Sequence, residues 1–151
     1  MPDTGTWIHN LTIWAGLSAW VFAQLIKLAL HVVRTHRFDP AFLFRLGGMP
    51  SSHSAAVVAV ATSVGLTDGF GSQLFAVALA LAAVVMIDAQ TVRRAAGMQA
   101  RVLNQIVDEL FKTHHFPQHK LVEFLGHTRL EVLFGFLLGI FTALLFQSFD
   151  F

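Results

Sequence analysis

Long apolar runs almost without charge limit what this chain can fold into more than any other feature. Residues 7–33 carry a single charge, at Lys27; residues 73–92 carry one, at Asp88; residues 130–149 carry one, at Glu131; and residues 51–66 carry none. A helix needs about 20 apolar residues to cross the hydrocarbon core of a bilayer. With 55% of its 151 residues hydrophobic and 13% charged, the chain has room for about four such crossings and for no separate soluble domain. The sequence therefore predicts one membrane-embedded domain over residues 1–151, an all-α integral membrane bundle with about four transmembrane helices.

Local signals divide the runs. The first, residues 7–33, is too long for a signal peptide, and Met1 to Thr6 offer no basic leader, so it is read as a retained span. A basic loop with Arg34, Arg37 and Arg45 follows and ends in Gly47-Gly48. Pro50 then opens a helix over 51–66 rich in alanine, which suits close helix packing. After an Asp/Gly turn at 67–72, a third span covers 73–92 and continues past Arg93 and Arg94. Met98, Val102, Ile106 and Leu110 recur every four residues, which predicts an amphipathic interfacial helix over 98–111. A polar segment, 112–120, precedes the last span.

Charge placement gives orientation. All ten Lys and Arg lie between Lys27 and Arg129, in the loop after the first span, in the segment after the third, or at the adjoining span ends. The positive-inside rule puts both basic segments in the cytoplasm and both chain ends outside, in the plasma membrane. A net charge of +1 gives no support for nucleic acid as a partner. With no cysteine there is neither a thiolate nucleophile nor a zinc–thiolate site.

Three polar clusters fall at the cytoplasmic span ends. Lys27 and Arg34 are separated by six residues. Gly47-Gly48-Met49-Pro50-Ser51-Ser52-His53 feeds a glycine-rich turn into a helix N-terminus, which favours anions. In Gly126-His127-Thr128-Arg129-Leu130-Glu131, His127 and Glu131 stand four apart on one helix face, so the carboxylate can hold one imidazole nitrogen while the other faces a substrate. Two histidines, a carboxylate and several cations around a helix N-terminus suit phosphoryl transfer.

These residues resemble the type-2 phosphatidic acid phosphatase superfamily, which includes the vanadium haloperoxidases, and within it the small divergent bacterial and plastid branch. The superfamily's motifs are Lys-x6-Arg-Pro, Pro-Ser-Gly-His and Ser-Arg-x5-His-x3-Asp. Lys27-x6-Arg34 matches the first with Thr35 in place of proline; Pro50-Ser51-Ser52-His53 matches the second with serine for glycine; His127-x3-Glu131 matches the core of the third with the carboxylate lengthened. Leu121, preceded by Lys120, stands where the third motif has arginine.

The resemblance implies that His127 attacks phosphorus, that Glu131 orients it and that His53 is the general acid. It implies further that Ser51 and Ser52, with their backbone amides, bind phosphate oxygens together with Lys27 and Arg34. Arg129, Lys120, Arg93 and Arg94 are candidates to replace the missing arginine, Arg93 and Arg94 foremost because they leave the third span at the same membrane face. Asp88 supports the site by pairing with Lys27 or an arginine. No cofactor or metal is implied, and His115-x3-His119, interrupted by Pro117, reads as an interfacial loop rather than a metal site.

The function so implied is hydrolysis of a membrane lipid phosphomonoester, phosphatidylglycerophosphate or phosphatidic acid, at the cytoplasmic leaflet through phosphohistidine. An isoprenyl pyrophosphate phosphatase, or a non-enzymatic scaffold binding anionic lipid, are the alternatives. The family fold normally has about six helices, so self-association into a homo-oligomer is one way for this smaller bundle to close its site.

Overall fold

A computed structural model of the chain describes residues 7–39, 48–110, 121 and 126–148. After a 3-10 turn at Trp7–His9, five helices follow: α1 (Leu11–Thr35), α2 (Ser52–Thr67), α3 (Gln73–Gln90), α4 (Val92–Leu110) and α5 (Arg129–Ser148). Among the described residues all regular structure is helical, as the apolar runs predict.

The starts of α1, α2 and α3 are each capped by a side-chain oxygen. Asn10 accepts from the Ile13 amide, Ser51 from Ser54 and Ser72 from Phe75, which satisfies one of the amides that the first turn leaves without an internal partner. Pro50 lies outside α2, ahead of its cap, so the helix begins one residue later than the sequence predicts.

α1, α3 and α5 are long and apolar enough to cross a membrane. α2, with 16 residues, is about 24 Å long, shorter than a hydrocarbon core of about 30 Å. The expected bundle of about four transmembrane helices is thus three long apolar helices around a shorter one. α2 packs on α1, α3 and α5 alike, and that central place explains its composition. Ala55 and Ala59 of α2 are fully buried against Ala19 and Ala23 of α1. With lipid tails as apolar as leucine, helices in a bilayer associate through close backbone packing, which small residues permit.

The same logic fixes α5. Gly135 rests on the Ser51 carbonyl, and a Cβ added to Gly139 would stand 2.6 Å from the Ala55 carbonyl oxygen and 3.0 Å from the Ala59 amide nitrogen. The Gly135-x3-Gly139 seam is therefore packing within the chain. Because the obstacle at Gly139 is helix backbone, which cannot swing aside, Gly139→Val is expected to cost at least about 1–3 kcal/mol. A lowered thermal midpoint in detergent, with Leu144→Val at an exposed position of the same helix as control, is the expected measurement.

α3 and α4 meet at Thr91, whose amide and hydroxyl both donate to the Ile87 carbonyl, at 2.9 and 2.7 Å. Such back-bonding by threonine bends a helix. The amphipathic helix accordingly starts at Val92 rather than 98. Ala100 and Asn104 are buried, while Met98, Val102 and Ile106 are exposed, the two-faced arrangement of an interfacial helix.

Candidate functional site

The site is assembled where α5 begins. Thr128 caps that helix in a reciprocal pair with Glu131. The Thr128 amide donates to Glu131 Oε2 at 3.0 Å, and the Glu131 amide donates to Thr128 Oγ1 at 3.3 Å. This is a capping box, which requires a side chain of glutamate length at the third helical position. The same Oε2 lies 3.0 Å from His127 Nδ1. A carboxylate can only accept, so Nδ1 is the donor, and in the neutral ring this tautomer leaves Nε2 its lone pair. The lengthened carboxylate is thus accounted for: one oxygen caps the helix and sets the imidazole tautomer.

The backbone before α5 is pinned to the α3–α4 junction. The His127 amide donates to the Ala89 carbonyl at 2.9 Å. Gly126 has φ +96°, and a Cβ there would stand 2.5 Å from the Arg94 amide nitrogen. Both the left-handed conformation and the close approach call for glycine. His127 is 8% exposed as a result.

The start of α2 is tied to the same turn of α5. The Ser51 amide donates to the Glu131 carbonyl at 2.9 Å, an approach made possible by the bare Gly135 one turn on. Ser51 is fully buried, and its hydroxyl accepts from the Ser54 hydroxyl at 2.9 Å. The Ser51 amide thus holds α2 against α5, while its hydroxyl caps α2. Ser52, next along, accepts from Lys27 Nζ at 3.2 Å.

Lys27 is 4% exposed, so its ammonium turns inward to α2 instead of reaching the headgroups. Glu131 acts electrostatically on Lys27, and Lys27, Arg93 and His127 all act on His53. His53 is exposed on the first turn of α2. Three chain segments more than twenty residues apart thereby place Lys27, Ser52, His53, His127 and Glu131 in one cluster.

The arginines occupy its edge. Arg93 Nε bonds Asp88 Oδ2 at 2.7 Å across the Thr91 break, which gives Asp88 the arginine partner expected of it. Arg94 is exposed beside Gly126. Arg129 is exposed at the first position of α5, where a cation opposes the helix dipole by about 0.3–1 kcal/mol; helix stability does not explain its presence. Arg34 is exposed in the last turn of α1, about 10 Å along the axis from Lys27. Lys120 and His115-x3-His119 lie outside the described residues.

Two participants were missed in the sequence. Thr128 was readable from Thr-x-x-Glu at a helix start. Asn104 was not: its side-chain amide donates to the Leu121 carbonyl at 2.9 Å and accepts from the Leu121 amide at 3.0 Å. The position that the superfamily gives to arginine is thus a leucine held by its backbone to α4.

A helical membrane protein with this cluster at one end of its bundle is what the motifs imply, and comparison with known proteins agrees. A model of the divergent PAP2 family matches residues 8–142. The chain belongs to the divergent PAP2 family, and so to a phosphatase-like superfamily of membrane proteins. It is 41% identical over 153 residues to the uncharacterized membrane protein YuiD of Bacillus subtilis (strain 168), an alignment covering 94% of this chain and 97% of that one. No solved structure matches the chain.

Proposed function

We propose that the protein is a metal-independent phosphatase that hydrolyses a lipid phosphomonoester at the cytoplasmic leaflet of the plasma membrane. The observation that carries this reading is the His127 Nδ1–Glu131 Oε2 bond of 3.0 Å, which leaves Nε2 as a nucleophile beside a second histidine and a buried lysine. Nε2 attacks phosphorus, and the bond from phosphorus to the lipid oxygen breaks. The departing alkoxide takes a proton from His53. Water then cleaves the phosphohistidine, giving its proton to His53 and restoring Nε2.

Lys27 has three donors and one is engaged by Ser52, so the others are available to phosphate oxygens. The amides of Ser52 and His53 in the first turn of α2 point the same way. Arg93, Arg94 and Arg129 supply the positive charge that the third motif's arginine supplies elsewhere in the superfamily, with Arg34 at the outer edge. Concentration of the Lys and Arg at this end of the helices supports the cytoplasmic assignment.

Phosphate release from purified protein, offered phosphatidylglycerophosphate, phosphatidic acid and an isoprenyl pyrophosphate in turn, tests the reading. Turnover of a phosphomonoester that survives chelator and is blocked by vanadate is expected. Preference for the pyrophosphate would move the substrate class. Lipid binding with no turnover on any substrate would leave a scaffold.

A further inference from the structure

α4 carries its charges the wrong way round for a helix on its own. Arg93 and Arg94 stand in its first turn, where the helix dipole is positive, and Asp108 and Glu109 in its last, where it is negative. Each such placement costs about 0.3–1 kcal/mol. Asp88 offsets it at Arg93. Arg94, Asp108 and Glu109 are exposed.

Between those ends one flank of the helix is apolar and uncovered. Gly97, Ala100 and Asn104 are buried, and among the described helices α4 packs chiefly on α3. Ala95, Met98, Val102 and Ile106 lie about 170° around the helix from that buried side, and all four are exposed. An open groove of ≈ 510 Å³ follows this flank, lined by Ala95, Met98, Gln99, Val102 and Leu103. Helices that anchor in a bilayer surface set Trp, Phe or Leu opposite a face rich in Lys and Arg. α4 has no aromatic residue and no lysine, and its last turn is acidic, which anionic headgroups repel. Alanine and methionine suit a second helix instead: the first permits close approach and the second fills irregular gaps.

We propose that this flank is covered by α4 of a second copy, the two helices running antiparallel about a two-fold axis along the bilayer normal. Symmetry dictates the direction. Two copies inserted the same way round in one membrane close a dimer only about an axis along the normal, and such an axis reverses any helix that runs along the membrane surface. An interfacial α4 thus meets its own reverse, basic end to acidic end, with Arg94 facing the partner's Asp108 and Glu109. The register that aligns these charges also sets Ala95 against the partner's Ile106 and Met98 against the partner's Val102. Two free proteins need about 800 Å² each for a stable interface; copies already confined and oriented by one membrane need less, because confinement raises their effective concentration. The pairing goes beyond the phosphatase reading and does not depend on it.

The chain has no cysteine, so single introduced cysteines report on the contact without background. In full-length protein held at low density in phosphatidylcholine vesicles, Ala95→Cys reconstituted together with Ile106→Cys should be joined into dimers by a short bismaleimide. Either variant alone should not be, because the two Ala95 positions of an antiparallel pair stand about 16 Å apart along the helix axis. Phe38→Cys, exposed beyond α1, gives the rate of chance collision. Single-molecule photobleaching of wild type should show paired steps. Val102→Lys, which brings two ammonium groups together near the two-fold axis, should raise the dimer dissociation constant by on the order of a hundredfold. Val102 is 53% exposed, so that change removes no core contact. Glu109→Lys, which sets like charge against the partner's Arg94, should weaken the dimer in the same direction and decides if the first variant does not fold.

Cross-linking of Ala95→Cys alone would show a parallel contact and overturn the proposal. Joining of the mixed pair no faster than Phe38→Cys would mean that lipid covers the flank, and single bleaching steps in wild type would mean a monomer; either result sinks it. Undiminished dimers in folded Val102→Lys would put the contact on another face and overturn it as well.

Discussion

His127→Ala is expected to abolish phosphate release on every substrate while the protein still folds and still binds lipid. The reason lies in which part of His127 does what. Its backbone amide, not its ring, is tied to Ala89, and alanine keeps that bond. The Thr128–Glu131 capping box closes without the imidazole. Only the proposed nucleophile is lost, and removing a nucleophile or its base from an enzyme of covalent mechanism costs on the order of 10⁴- to 10⁶-fold in kcat.

Glu131→Gln separates the two duties of that side chain. Glutamine also serves in a capping box, so the helix start survives. The imidazole loses its charged partner, and a comparable carboxylate-to-amide change elsewhere costs about 10⁴-fold through the wrong tautomer. Substrate labelled with ³²P should leave an acid-labile, alkali-stable phosphoprotein in wild type and none in His127→Ala. Turnover by the folded alanine variant at the wild-type rate would falsify the assignment.

What the sequence disclosed and what it withheld divide along a physical line. Spans were legible because lipid disfavours charge over about 20 residues, and residues 7–33, 73–92 and 130–149 carry only one charge each. The His127–Glu131 pair was legible because a helix fixes where residues four apart stand. The starts of α2, α3 and α5 were legible to within a residue, whereas α4 begins six residues before its expected start at 98.

Contacts between segments were not legible from local pattern. The bond from His127 to Ala89, the meeting of Gly126 with Arg94 and the bonding of Asn104 to Leu121 depend on how α3, α4 and α5 are set against one another, and nothing in each segment alone encodes that. Lys27 and Ser52 are 25 residues apart; only the order of motifs hinted that they belong together. The bend at Thr91 escaped because threonine is an unremarkable helix residue until its hydroxyl turns back to the carbonyl four residues before it. The bond from the Ser51 amide to the Glu131 carbonyl likewise appears only when α5 is in place.

His53 gives the second large effect, and its signature is selectivity. A lipid alkoxide is a poor leaving group that must be protonated as it departs, and general acid catalysis contributes roughly 10²- to 10⁴-fold to such a step. An aryl phosphate with an electron-withdrawing ring releases a weak base that departs unaided. His53→Ala should therefore depress lipid phosphate hydrolysis by about that factor and leave the activated aryl ester far less affected, while His127→Ala removes both. The position favours a clean result: His53 is exposed on the first turn of α2, and the cap of that helix is Ser51, not His53, so alanine removes no structural bond of the cap. His53→Gln, which restores bulk and a donor without a titratable proton, should not rescue the lipid substrate. Equal losses on the two substrates in folded His53→Ala would mean that His53 positions phosphate rather than donating a proton, and the acid would have to be sought elsewhere.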